Sequence, residues 1–304
     1  MINADSSYKS GFVAVMGRPN VGKSTLINAL LGQKVTAVSP RPQTTRKSQM
    51  GILTITVKNQ KAQVVFIDTP GIHNPMNKLG DYMNKDAVKT LEESDVILLV
   101  VDASAKPNDD DQILFKTIEK LKSHKIIILA LNKIDLLDKS NLSKYKKVFL
   151  ANVPNATPVA ISATKGINLN KLLDLVIESL PYGFPFFDED QITDLFEREI
   201  AADLIREAAL NILHDEVPHG IAVRIDQYTE RNYHGAYIES TIFVEKESHK
   251  SIVIGANGRM IKKIGTAARI EIEKMSGRKV FLHLKVKVRK NWRSDERILQ
   301  RFGY

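Results

Sequence analysis

The 304-residue chain contains no cysteine. That excludes disulfides, thiolate metal sites and cysteine nucleophiles, and it fits a reducing compartment. Its seven histidines include no H-x-x-x-H pair, so no histidine metal site is read. Only His73, beside a motif described below, is given a role, in positioning a loop or a water. Long apolar runs are also missing: VILLVVDA and IIILAL are far shorter than the ~20 residues that span a bilayer. The opening MINADSSYKS lacks the basic patch and apolar core of a secretory signal. A soluble, cytoplasmic protein is expected.

The 43% hydrophobic content is ample for packed cores, and the length suggests two domains. The net charge of +9 is unevenly spread. Residues 1–181 carry a balance of +8, residues 182–245 one of −10, and residues 246–304 one of +11, from 16 basic and 5 acidic side chains. A basic block after an acidic one implies a directed anionic partner, with nucleic acid first and acidic lipid second.

In the first 180 residues GFVAVMG, AQVVFID, DVILLVVDA, KIIILALNK and TPVAIS are short, β-rich and almost continuously apolar. Such runs are strands buried on both faces of a parallel sheet. Amphipathic stretches alternate with them: KSTLINALLG closes on Gly32, and DDDQILFKTIEKLKSH opens on three aspartates. The pattern is a doubly wound α/β domain, residues 1–180. LPYGFPFF breaks the rhythm, and 181–187 is read as a linker. Beyond it, ITDLFEREIAADLIREAALNIL, IAVRIDQY, AYIESTIFVEK, VIGANGRMIKKIG, ARIEIEKMSG and KVFLHLKVKVRK give α-β-β-α-α-β, an α+β domain over 188–304. A last short helix, SDERILQRF, is expected with a serine cap.

GRPNVGKS, residues 17–24, follows the first strand and opens a helix. Gly17 and Gly22 let backbone N–H groups turn around phosphate oxygens at a helix N-terminus, with Arg18, Pro19, Asn20 and Val21 between them. Lys23 reaches the terminal phosphates, Ser24 is a Mg²⁺ ligand, and Thr25 is a further nucleotide-binding candidate. DTPG ends a later strand: Asp68 holds Mg²⁺ through water, Thr69 and Pro70 are further nucleotide-binding candidates, and Gly71 offers a backbone N–H to a γ-phosphate. NKID supplies Asn132, Lys133 and Asp135, whose carboxylate accepts paired hydrogen bonds from guanine N1 and its exocyclic amine. Adenine has no such pair. In ISAT the backbone of Ser162 and Ala163 faces the guanine oxygen. In this order at sheet ends, the motifs form a GTP site. Between helix 1 and strand 2, GQKVTAVSPRPQTTRKSQMG is a mobile loop whose threonine joins Mg²⁺ with the γ-phosphate, Thr45 first and Thr44 second. Lys23, Thr45 and Gly71 are the candidate catalytic groups. Arg41, Arg46 and Lys47 flank this loop, read as solvated charge ahead of contacts to RNA or phosphate.

With these motifs the chain resembles the Era family of bacterial ribosome-assembly GTPases, on GRPNVGKS, QTTR, DTPGIH, NKID and SAT, and on the ending RKNWRSDERILQRFGY. Relatives of the tandem type need a second P-loop and the tRNA-modifying type usually ends in cysteine; neither feature is present. The resemblance implies an α/β P-loop GTPase domain with a mostly parallel sheet, followed by a type II KH RNA-binding domain. It implies a monomeric GTP/GDP switch that binds 16S rRNA near its 3′ end and assists assembly of the 30S subunit, with a peripheral contact to the inner membrane. A GTP-regulated scaffold on acidic membrane, linked to cell-cycle control, is the alternative. Ile72 replaces the water-orienting glutamine of many Ras-like enzymes, so intrinsic hydrolysis is expected to be slow. Asn20 matches a P-loop asparagine that binds K⁺ in some relatives; its other reading is a loop hydrogen-bonder. In a KH domain Gly255, Ala256, Asn257 and Gly258 bring the backbone to single-stranded RNA, and Arg259, Lys262 and Lys263 lie on one helix face. Ile261 and Ile264 are expected to turn toward the core. KH loops commonly place a basic residue where Ala256–Asn257 stand, so the grip falls to the following helix and the basic tail.

Overall fold

The computed structural model describes all residues except 1–7, 40, 42–43, 122–124, 138 and 232–234. The N-terminal segment, both prolines and the glutamine of the loop before Thr44, and the last three residues of the second quoted helix therefore lie outside the described residues. The chain divides into two compact units.

The first unit (residues 1–36, 45–74 and 83–194) holds a six-stranded sheet in the order β2-β3-β1-β4-β5-β6. Its strands are β1 (Tyr8–Met16), β2 (Gln49–Val57), β3 (Gln60–Asp68), β4 (Val96–Asp102), β5 (Ile126–Asn132) and β6 (Thr157–Ala160). All neighbours are parallel except the edge pair β2–β3. β4 is buried at every position, as a strand covered on both faces requires. β2, by contrast, ends in half-buried and exposed residues, and that is why no continuous apolar run marks it. The helices are α1 (Lys23–Leu31), α2 (Lys78–Glu93), α3 (Asp109–Glu119), α4 (Lys139–Asn152) and α5 (Leu169–Ser179). α1 ends on Gly32 at φ 69°. α3 is capped by Asn108 rather than by the aspartates themselves: Asn108 accepts from the Asp111 N–H, and Asp111 returns the bond.

Residues 181–194, expected as a linker and the start of the second domain, cluster with the first unit. Backbone bonds explain this: Ser10 N–H donates to Pro181 O (3.1 Å), Gly183 N–H to Tyr8 O (3.0 Å) and Ile52 N–H to Ile192 O (2.9 Å). Gln63 ties Phe186 and Phe187 to the sheet through both ends of its amide. The proline-rich stretch is an ordered strap bonded to the start of β1, to Gln63 of β3 and to the edge strand β2.

The second unit comprises residues 195–304 with two short segments, 37–44 and 75–82. Its order is α6 (Glu197–Ile212), β7 (Ala222–Arg231), β8 (Gly235–Val244), α7 (Glu247–Ile254), α8 (Arg259–Ser276), β9 (Lys279–Val288) and α9 (Glu296–Arg301). The α-β-β-α-α-β order is present, though α6 begins at Glu197 and leaves 192–196 outside it. β7 pairs antiparallel with β8, and β8 parallel with β9. α6 and α8 cover one face, burying Ile200, Leu204 and Ile205 with Ile264, Ala268 and Ile272 against Ile238, Ile242 and Val280. The i, i+4, i+8 spacing of the α8 trio fixes the buried side of that helix. The C-terminal segment is pinned by Trp292, fully buried, whose indole N–H donates to Gly220 O at 2.9 Å. α9 is capped by Asp295, which accepts from the Arg297 and Ile298 N–H groups, not by Ser294; both are good cap formers and only one can take the position. Ser39, Arg41 and Thr44 are held within this unit by bonds from Ser39 to Asn211 (2.8 Å), from Arg41 to Leu213 O (3.2 Å) and a short one from Arg206 to Thr44 O.

Candidate functional site

In a doubly wound sheet, ligands sit outside the carboxyl ends of the strands, where strand order reverses. Here β1 lies between β3 and β4, and the motifs all emerge at that edge. The loop 17–22 leaves β1, Asp68 ends β3, Asp102 ends β4, Asn132 ends β5 and Ser162 follows β6. The register sets Asp102 opposite Asn132.

The loop turns into α1 through Gly22, whose φ of 100° is costly for a residue with a Cβ. A Cβ there would also lie 2.5 Å from Asn132 Nδ2. Asn20 is exposed and left-handed as well, at φ 65°. Val21 is buried, Pro19, Thr25 and Ser24 are half-buried, and Gly17 O and Arg18 O accept from Lys23 Nζ at 2.9 and 3.1 Å. Burial pushes the Lys23 ammonium down to about 8, with Asp68 opposing the shift and Arg18 adding to it. A folded value below the unfolded 10.5 is a cost fully present below pH 8 and relieved between pH 8 and 10.5. Phosphate oxygens beside Lys23 restore its charge, so GTP binding is expected to take up a proton above pH 8 and to weaken as pH rises. Calorimetry at pH 8.5 in two buffers of different ionisation enthalpy measures that uptake.

Three oxygen groups converge at the start of α1. Ser24 Oγ donates to Asp68 Oδ2 at 2.7 Å, Thr45 Oγ1 donates to the same oxygen at 2.9 Å, and the two hydroxyls are 3.2 Å apart. Thr44 is turned away, its hydroxyl donating to Arg41 O at 2.9 Å. The geometry therefore places Thr45, not Thr44, with the Mg²⁺ candidates. Thr45→Ala is expected to slow GTP turnover by about 10²-fold, and Thr44→Ala by less than about twofold; single-turnover rates decide.

Several predicted side chains do other work. Thr69 is buried and its hydroxyl donates to Val15 O at 2.8 Å, so its side chain points into the sheet and leaves only backbone for a nucleotide. Pro70 and Gly71 are buried. Gly71 O lies 2.8 Å from His73 Nδ1, and Asn84 clasps the His73 backbone from both sides. His73 thus holds the turn. Ile72 is 3% exposed and packs in the core with Ala14, Met16 and Leu91. Asn132 bridges two loops: its Nδ2 donates to Val21 O (2.8 Å) and its Oδ1 accepts from the Ala163 N–H (3.0 Å). The Ser162 N–H donates to Ile167 O (3.2 Å). Both N–H groups expected to face the guanine oxygen are therefore engaged in the fold, and a guanine at Ala163 shares its N–H with Asn132. Asp135 is exposed beside them.

Two acids were missed from the sequence. Asp102 accepts from Lys133 Nζ at 2.7 Å and from Ser104. Burial pushes its carboxyl up, but the Lys133 and Ser104 hydrogen bonds outweigh that and hold it below its ordinary value. Asp111 is buried and accepts from Arg18 Nε at 3.2 Å. Together they anchor Arg18 and Lys133, one from each nucleotide motif. The signal available was an aspartate closing VILLVVD at the edge where the motifs gather. Arg46, grouped with solvated charge, is 3% exposed; Lys47 is exposed. Among the described residues no group of three His, Cys, Asp or Glu side chains could hold a metal, and no helix is long and apolar enough to cross a membrane.

In the second unit α7 ends at Gly255 (φ 71°), a single 3-10 turn spans Ala256–Gly258, and α8 starts at Arg259. A Cβ on Gly255 would meet Met260 Cβ at 2.6 Å, and Asn257 and Gly258 are left-handed at φ 52° and 73°. Ala256, Asn257, Arg259, Lys262 and Lys263 are all exposed around this turn. Ile264 is buried, but Ile261 is only half-buried. It lines a groove with Lys262, Gly265, Thr266, Arg269, Leu282 and Leu284.

Comparison with known proteins fits both units. A family model described as "50S ribosome-binding GTPase" matches residues 12–133, and a KH domain model matches 216–293. The chain is 45% identical to GTPase Era of Halothermothrix orenii, with 98% of this chain and 99% of the relative covered. It belongs to the Era family of GTPases. A second relative, GTPase Era of Ruminiclostridium cellulolyticum, is 44% identical with 98% of each chain covered. Among solved structures, Era in complex with MgGDPNP and nucleotides 1506–1542 of 16S ribosomal RNA superposes with a TM-score of 0.91 at 40% identity, covering 98% of this chain and 99% of that one. A variant of Aquifex aeolicus Era bound to GDP·AlF₄⁻ gives the same TM-score and identity, with 97% and 99% covered. This Era-family chain is a GTPase with a mostly parallel α/β domain followed by a KH domain.

Proposed function

We propose that this GTPase is a switch that binds 16S rRNA near its 3′ end and assists assembly of the 30S subunit in the cytoplasm as a monomer. The observation that carries the reading is the glycine turn between α7 and α8. Its exposed loop and the three cations beside it form a clamp for a single-stranded backbone, in a chain closely similar to a protein solved with a 16S fragment. The P-loop and α1 N-terminus hold the phosphates. Lys23 neutralises them, Ser24 and Thr45 ligate Mg²⁺ with Asp68 behind it, Gly71 meets the γ-phosphate, and Asp135 reads guanine. Mg²⁺, when bound, draws charge from the β- and γ-oxygens.

With Ile72 buried, help with hydrolysis comes from elsewhere, and the exposed Asn20 at the loop apex is the proposed K⁺ ligand. GTP turnover is expected to be faster in K⁺ than in Na⁺ at equal ionic strength; identical rates remove that role. RNA recognition is tested by binding of 3′ fragments of 16S rRNA against anionic vesicles at matched salt. The expected result is preference for the fragment over RNA of other sequence. Sequence-independent RNA binding combined with tight vesicle binding would favour a scaffold on the inner membrane surface.

A further inference from the structure

The sheet of the second unit has a second face. Leu282 and Leu284 belong to the side covered by α6 and α8, so alternation along β9 sends Phe281, His283, Lys285 and Lys287 to the opposite side; all four are exposed. On that side Phe281 pairs in register with Tyr237 of β8, and their rings stack with centroids 5.6 Å apart and planes 12° apart. Phe281 is 64% exposed, a large cost for an aromatic ring with nothing to cover it. A cationic row continues from it toward the chain end. Lys285 is answered by Glu239, and Arg224 by Asp226 at 2.6 Å. Arg289 and Arg301 form no ion pair among the described residues. The row ends at a recess of about 90 Å³ floored by Phe243, Ile298 and Phe302 and rimmed by Arg224, Lys287, Arg289 and Arg301. The four cations around it suit a phosphate group.

A stacked, solvent-facing aromatic pair on an open sheet, followed by cations along one strand, is the chemistry that stacks bases and tracks a phosphate backbone. A lipid surface has no use for an in-register stacked pair, and an acidic peptide offers it no base. We propose that this open face binds a second single-stranded segment of the RNA held at the glycine turn: Phe281 and Tyr237 stack a base, and the recess at Arg289 and Arg301 takes a backbone phosphate. This rests on the RNA-binding reading above and adds to it a site on the other side of the sheet.

The test compares a fragment of about ten nucleotides from the 16S 3′ end, enough to fill the turn and its groove, with one of about forty. The double variant Phe281→Ala/Arg289→Glu alters exposed groups, and unchanged binding of the short RNA at the glycine turn checks that the second unit is folded. It is expected to bind the short RNA as the unmutated protein does and the long RNA about tenfold more weakly, as loss of a stacked base and a phosphate contact implies. Ultraviolet crosslinks from the long RNA are expected in peptides 235–244 and 279–289. Equal affinity of the variant and the unmutated protein for the long RNA, or a loss confined to anionic vesicles, overturns the open-face site. Failure of the unmutated protein to bind either RNA overturns the RNA reading itself.

Discussion

Asp135→Asn is expected to weaken GTP binding by about 10⁴-fold, the scale on which a site built for a hydrogen-bonding pair rejects a partner that no longer matches. The carboxylate accepts from guanine N1 and the exocyclic amine. An amide in its place presents one donor against a donor and loses a charge-assisted bond. Xanthine carries a carbonyl where guanine carries the amine, so the variant is expected to bind xanthosine triphosphate in compensation. Asp135 is exposed and makes no core contact, so its substitution leaves the fold intact. Nucleotide affinities of the variant for GTP, ATP and xanthosine triphosphate measure the exchange. Unchanged GTP affinity in the variant would place base recognition on Asn132 and Ala163 alone.

The second large effect concerns the turn in the KH domain. Two aspartates at Ala256→Asp and Asn257→Asp put negative charge where the backbone must approach phosphates, within a turn whose own side chains carry no charge. RNA affinity is expected to fall by at least about a hundredfold, since two new carboxylates face the closely approaching phosphates where the backbone had offered only neutral contacts. Both positions are exposed, and Asn257 sits in the left-handed region that aspartate tolerates. GTP hydrolysis without RNA is expected to stay near its normal rate. Fluorescence anisotropy with a labelled 16S fragment and a phosphate-release assay give the two readouts.

The candidate nucleotide site was legible as a cluster at one sheet edge because its parts are short, ordered and tied to strand ends by backbone geometry. Gly22, Lys23, Ser24, Asp68 and Asn132 stand at the same sheet edge that the apolar runs define. What the residues hid was the direction of side chains already used by the fold. Thr69 and Asn132 look like ligands in a motif, yet their polar atoms tie Val15, Val21 and Ala163 together. The choice of Thr45 over Thr44 depends on the turn of one residue in a loop, which spacing does not encode. Arg46 is hidden by tertiary packing that no local pattern announces. The strap at 181–194 misled because prolines and glycine signal a break in secondary structure, and here the break is an extended segment bonded to β1, β2 and β3. In the second unit the strand KVFLHLKVKVRK was legible, and the alternating burial along β9 that separates the groove face from the open one came from the structure.

The central claim is that GTP chemistry and RNA binding are linked in one chain. The affinity of the 16S 3′ fragment for the protein loaded with a non-hydrolysable GTP analogue, against the protein loaded with GDP, measures that linkage. A coupling of at least about fivefold, the lower end of allosteric effects, is the predicted result, in favour of the GTP form. Equal affinity in the two nucleotide states contradicts the switch and leaves a GTPase and an RNA-binding domain that merely share a polypeptide.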